Sequence, residues 1–137
     1  MPPRVNHCKN GIVIMIIAVD FDGTCVTHEY PKIGRDIGAE ACLKRLVAKG
    51  HQLILFTMRS GAELEQAKTW FHVRGIPLYG VNTNPSQKTW TESPKAYAQV
   101  YIDDAALGCP LVWDEVSNRP CVNWPEVERM LEKRGVL

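Results

Sequence analysis

The sequence predicts an α/β fold in which an open parallel sheet carries helices on both faces, and three observations lead there. The first is the apolar run from Ile12 to Val19, which lacks polar alternation and so suits a central strand covered on both sides. The second is the alternation of short apolar runs with stretches of helical periodicity, the pattern of parallel strands joined by crossovers. The third is the position of three polar residues: Asp20, Thr57 and Asp103 each stand just beyond an apolar run, and open parallel sheets bind ligands past the carboxyl ends of their strands.

In chain order, residues 1–11 hold Pro2, Pro3, Asn6, Asn10 and Gly11 without apolar periodicity and read as a loose arm, leaving 12–137 as one α/β domain. Arg4 and Lys9 ahead of the apolar run imitate a secretory leader. The run ends at Asp20-Phe21-Asp22 instead of a small-residue cleavage site, and it is far shorter than the ~20 residues of a membrane span. Met15 is a second candidate start. Asp36 is placed to cap a helix through Ile37, Ala41, Leu43 and Leu46-Val47 that stops at Gly50. Leu53 to Phe56 reads as a second strand, and Ser60 with Glu63 has capping-box spacing before a helix to about Arg74-Gly75. Leu78 to Val81, Val100 to Ile102 and Leu111 to Trp113 read as further strands, and Asn123 and Pro125 open a closing helix to about Arg134. The connection from Asn82 to Pro94, thirteen residues with two prolines, has the length of a lid or binding loop.

A chain of 137 residues suits one domain. Its composition, 45% apolar and 23% charged, is that of a globular protein and excludes a disordered or fibrous chain. A net charge of +1 provides no global field toward nucleic acid or membrane, so neither is an expected partner and an anionic ligand must be held locally. The cysteines Cys8, Cys25, Cys42, Cys109 and Cys121 are odd in number without a C-x-x-C pair; reduced thiols in a cytoplasmic protein explain them.

Asp20-Phe21-Asp22-Gly23-Thr24 follows the first strand directly, which brings two carboxylates and a sharp glycine turn to the sheet crevice. A solvated turn is the bland alternative. Asp103-Asp104 closes a later strand, and adjacent carboxylates repel unless a cation or basic side chain compensates them. Oxygen ligands suit magnesium, which takes one or two carboxylates and keeps several waters. Four acidic side chains on two strand ends therefore favour a metal site over two unrelated Asp-rich turns.

With these residues in this order, the chain resembles the haloacid dehalogenase-like superfamily, in its small group without a large cap. The resemblance covers about Ile12 to Leu111. Motif one is similar to Ile16-Ile17-Ala18-Val19-Asp20-Phe21-Asp22-Gly23-Thr24, motif two to Leu55-Phe56-Thr57 and motif four to Tyr101-Ile102-Asp103-Asp104. Motif three is a lysine, best matched by Lys95 and alternatively by Lys88. Tyr30-Pro31-Lys32-Ile33-Gly34 also follows motif one as in that group, whereas Cys25 stands where the family commonly has leucine; it reads as a small apolar filler.

The resemblance implies a Rossmann-like core and a magnesium-dependent phosphomonoester hydrolase acting on a small phosphorylated substrate. Asp20 would be the nucleophile and form an aspartyl-phosphate; Asp22 would be the acid and base. Magnesium would be held by Asp20, the Asp22 carbonyl and Asp103, with Asp104 acting through water. Thr57 would hold a phosphoryl oxygen through its hydroxyl and N–H, with Gly23 and Thr24 also on the substrate side. A carboxylate about 3.5 Å from a dianionic phosphate is repelled by about 9 kcal/mol at an effective dielectric near 20, so magnesium and Lys95 would supply the compensating cations. Arg59 would meet a second anionic group or merely cover the helix start. His28 and Trp90 have simpler readings, as a solvated loop side chain and a loop-packing ring. With no room for a large cap, the Asn82–Pro94 loop, or failing that a homodimer partner, would cover the site. The competing class is a phosphorylation-controlled signalling or binding module; a receiver, however, carries its acidic pair on the first strand, and here that pair comes late.

Overall fold

The computed structural model describes residues 7–9 and 12–137. It opens on a hairpin in which β1 (His7–Lys9) pairs antiparallel with β2 (Ile12–Ile14). Part of the expected loose arm is therefore a strand, and residues 1–6 and 10–11 lie outside the described residues. The long apolar run is two strands, because the chain leaves the hairpin at Met15, whose N–H donates to Nδ1 of buried His51 at 3.0 Å, and enters the main sheet as β3 (Ile16–Val19). Helix α1 (Ala39–Ala48) follows. Asp36 does not cap it; Gly38, at φ +96, occupies that position, while Asp36 accepts a bond from Arg74 at 3.1 Å.

Next come β4 (Gln52–Leu55) and α2 (Gly61–Val73), which Ser60 precedes without a side-chain cap bond, so the capping box is not formed. The third sheet strand shortens to β5 (Gly80–Val81), and β6 (Val100–Ile102) lies where the sequence predicts it. The sheet is parallel, in the order β5-β4-β3-β6. The run at Leu111 is β7 (Leu111–Asp114), but it pairs with an unforeseen β8 (Arg119–Val122) in a separate antiparallel hairpin. Helix α3 (Trp124–Lys133) closes the chain, capped by Asn123 Oδ1, which accepts from the Glu126 N–H at 3.3 Å.

Alternation along the strands sorts the core into two layers. Ile17, Val19, Leu53 and Leu55 face one cluster, to which all three helices send their buried side chains. Ile16, Ala18 and Ile54 face a smaller cluster with Ala98, Phe56 and Tyr79. The open parallel α/β sheet stands, but a helix on its second face does not: the crossover from β5 to β6 holds only a single 3-10 turn at Gln87–Thr89. Side-chain amides hold that irregular chain together. Buried Gln87 donates to the carbonyls of Ser93 and Lys95, each at 2.9 Å, and accepts from the Tyr97 N–H at 2.8 Å; Asn84 donates to the Tyr97 carbonyl at 2.9 Å. Trp90 packs edge-on against Tyr97. Among the described residues no helix is long and apolar enough to cross a membrane.

The β7–β8 hairpin and α3 are tied to the loop after β3. The Val122 N–H donates to the Gly23 carbonyl at 3.0 Å, and Nε1 of buried Trp124 donates to the Thr24 carbonyl at 2.7 Å. Trp124→Phe should strand that carbonyl and leave a small void, lowering stability by about 2–3 kcal/mol. Urea unfolding checks this: the midpoint should fall with the slope unchanged, and an unchanged midpoint would show that the bond contributes nothing.

Candidate metal centre

Parallel pairing of β3 with β6 sets Val19 beside Ile102, and the Asp20 N–H extends the ladder to the Ile102 carbonyl at 3.0 Å. The two strands thus end side by side, and carboxylate oxygens of Asp20, Asp103 and Asp104 all lie within 4.8 Å of one another. Between them the chain turns tightly. The Phe21 carbonyl accepts from the N–H groups of Thr24 at 3.1 Å and Cys25 at 2.8 Å, and Gly23 adopts φ +78. A Cβ at Gly23 would lie 2.6 Å from Asp104 Oδ2, so a side chain here would push Asp104 out of the cluster. Buried Thr24 bridges the strand ends: its hydroxyl lies 3.1 Å from Asp20 Oδ2 and 3.1 Å from Asp104 Oδ1, and it accepts from the Asp104 N–H.

The arrangement is electrostatically costly. Burial, then the contact with Asp104 and the charge of Asp103, push the Asp20 carboxyl up to about 8. Burial, with the neighbouring Asp104, raises Asp103 as well. None of the three makes an ion pair with a basic side chain among the described residues. Three hard oxygen donors with uncompensated charge fit a divalent cation, which would replace the shared protons. Asp22 is not one of the clustered carboxylates.

The triad opens into a cleft of about 540 Å³, walled in addition by Asp22, His28, Tyr30, Thr57 and Arg119. Several expectations change here. The Thr57 N–H is taken by Asn82 Oδ1 at 2.7 Å, and its Oγ1 accepts from the Arg59 N–H at 3.1 Å, so of its two expected donors only the hydroxyl is left. Gly23 and Thr24 shape the turn and bridge carboxylates; the Gly23 N–H is bonded to the Val26 carbonyl at 2.8 Å and is not offered to a substrate. Arg59 lines the cleft but is only 2% exposed and grips Asp22 with Nε and Nη2 at 2.8 and 2.7 Å, so it does not reach toward a substrate. Cys25 is buried, with Sγ 3.3 Å from the Asp20 carbonyl, and burial pushes its thiol pKa up.

Lys95 does not line the cleft; its ammonium lies over the Tyr101 ring, 5.5 Å from the centroid. Lys88 lies in a separate hollow of the crossover. The crossover itself is folded against the second sheet face and contributes no residue to the cleft wall, so it is no lid in this structure. The side chain that sequence reasoning missed is Arg119. It stands in β8, exposed and without an ion-pair partner among the described residues; its signal would have been the second strand of a hairpin after Leu111.

No family model matches the chain, and no curated protein does. Among solved structures the chain is similar to the conserved protein coded by a locus from Bacteroides thetaiotaomicron, with 36% identity and a TM-score of 0.71 over 88% of this chain and 92% of that one.

The raised carboxyl of Asp20 has a stability consequence. The folded protein keeps a proton that the unfolded chain, with an ordinary value of 3.8, has lost, so stability falls as pH climbs from about 4 through about 8. Thermal melts of metal-free protein should show a decreasing Tm over this window, and saturating magnesium should flatten the decline. A metal-free Tm that does not decline would contradict the clustered-carboxylate account.

Proposed function

The chain belongs to the family of that conserved Bacteroides thetaiotaomicron protein, and for its cleft we propose a magnesium-dependent phosphomonoester hydrolase of the haloacid dehalogenase-like type, working in the cytoplasm on a small phosphorylated substrate. The observation that carries the reading is the acidic triad at the ends of β3 and β6 with Asp22 at the cleft wall but outside it. One carboxylate can then attack while another, two residues on, handles protons.

In this reading Asp20 is the nucleophile, forming a bond to phosphorus as the alcohol oxygen leaves. Asp22 gives that oxygen a proton and later takes one from the water that cleaves the aspartyl-phosphate. Asp20, Asp103 and Asp104 would hold the cation, which when bound offsets charge on the phosphoryl group. The Thr57 hydroxyl donates to a phosphoryl oxygen. Arg119 replaces Lys95 as the cation that receives the anionic substrate at the cleft mouth.

The occupied Thr57 N–H and the placement of Lys95 over Tyr101, outside the cleft lining, favour a second reading, a signalling or binding module that is phosphorylated without rapid turnover. Asp22→Asn separates the two. With an aryl phosphate, the good leaving group needs little acid help, so the variant should release a burst of about one equivalent of phenolate and then turn over roughly a hundredfold more slowly than the parent, the size of a lost general base. Parent-like turnover would remove Asp22 from the mechanism; a parent that itself stalls after one equivalent would favour the module.

The two basic side chains are distinguished by kinetics. Lys95→Ala should leave kcat/KM within about threefold, and Arg119→Ala should raise KM about tenfold, the usual worth of one charge-assisted hydrogen bond. The reverse pattern would return Lys95 to the site.

A further inference from the structure

A divalent cation at the triad poses a difficulty for Asp22. This fourth carboxylate is two residues beyond Asp20 and at the same cleft, and the attraction that gathers the other three acts on it too. A carboxylate bound to the cation is no longer available to move protons at the departing oxygen.

Arg59 supplies the opposing force. Its guanidinium has five N–H donors, and each is used. Nε donates to Asp22 Oδ2 at 2.8 Å and Nη2 to Asp22 Oδ1 at 2.7 Å. Nη2 also donates to the Lys32 carbonyl at 2.7 Å, and Nη1 donates to the carbonyls of Pro31 at 3.2 Å and Glu63 at 3.3 Å. The rings of Phe21 and Tyr30 lie 5.1 and 5.2 Å from its Cζ. Its side chain is 1% exposed. An arginine bonded to the loop after β3, to the Tyr30–Lys32 segment and to the first turn of α2 cannot follow Asp22 toward the metal.

We propose that Arg59 is a positioning residue whose two-pronged grip withholds the Asp22 carboxylate from the metal and keeps it at the cleft wall for proton transfer. The part of this concerning proton transfer rests on the phosphatase reading; the part concerning the metal needs no substrate. The clamp also gives the Tyr30-Pro31-Lys32 segment a purpose, since its backbone carbonyls hold the arginine in place.

The test is calorimetry of magnesium alone with the parent, Arg59→Gln, Asp22→Asn and the double variant, beside kinetics on an aryl phosphate. Arg59→Gln should bind magnesium roughly tenfold more tightly, because the freed Asp22 joins the site, while kcat falls at least about tenfold and KM stays within about threefold. Adding Asp22→Asn should abolish the gain in affinity. A merely structural role would weaken metal binding and turnover together; that result, an unchanged affinity, or a gain that persists in the double variant would each overturn the proposal. Should metal-free melts show that Arg59→Gln does not fold, Arg59→Lys keeps the buried charge without the fork and should shift both readouts in the same directions by smaller factors; unchanged values there would overturn it equally. If the parent hydrolyses no phosphomonoester, the phosphatase reading fails while the affinity comparison still decides the clamp.

Discussion

Two strands that end side by side force like charges together, and much of the molecule around the cleft is arranged to sustain that. The ladder between β3 and β6 carries Asp20 and Asp103-Asp104 to one edge of the sheet. Gly23 leaves room for Asp104, the Thr24 hydroxyl bridges two of the carboxylates, and Trp124 fixes the Thr24 carbonyl from below. Among the described residues no basic side chain pairs with the cluster, so protonation or a cation must neutralise it. This is why a buried tryptophan in the last helix belongs to the same argument as an aspartate at the end of the central strand.

A second constraint keeps Asp22 apart. Arg59 is buried with every donor satisfied, which fixes the Asp22 carboxylate in place, as the proposed pairing of a nucleophile with an acid and base would require. The same residue also fastens the Tyr30–Lys32 segment and the first turn of α2 to the loop after β3. Cleft wall and sheet edge are thereby one unit, whereas the β7–β8 hairpin contributes Arg119 from outside the sheet.

The parallel sheet was legible in the sequence because its strands are short apolar runs with acidic or hydroxyl residues at their ends; those ends also gave the acidic residues, but as a set of four with Asp104 set back behind water, whereas Asp20, Asp103 and Asp104 cluster directly and Asp22 stands outside. Individual partners were not legible. Arg59, two residues past Thr57, reads in the sequence either as a group meeting a second anion or as cover for a helix start; only the fold reveals Asp22 and three carbonyls around it. Lys95 matched a motif by spacing alone, but the crossover holding it is set by the amides of Asn84 and Gln87, which turn it onto the second sheet face where a helix was expected. Arg119 went unseen because Arg119-Pro120 does not read as a strand, although opposite Leu111–Asp114 it forms one.

The proposed hydrolysis turns on phosphorylation of Asp20 itself, and chemical trapping detects that step. Protein mixed with an aryl phosphate and magnesium, quenched in acid during turnover and reduced with borohydride, should yield a peptide in which residue 20 has become homoserine, the product of reducing an aspartyl-phosphate. Asp22→Asn should enrich that peptide, because the intermediate then waits for its base. Continuing turnover with residue 20 recovered only as aspartate, in parent and variant alike, would contradict the account.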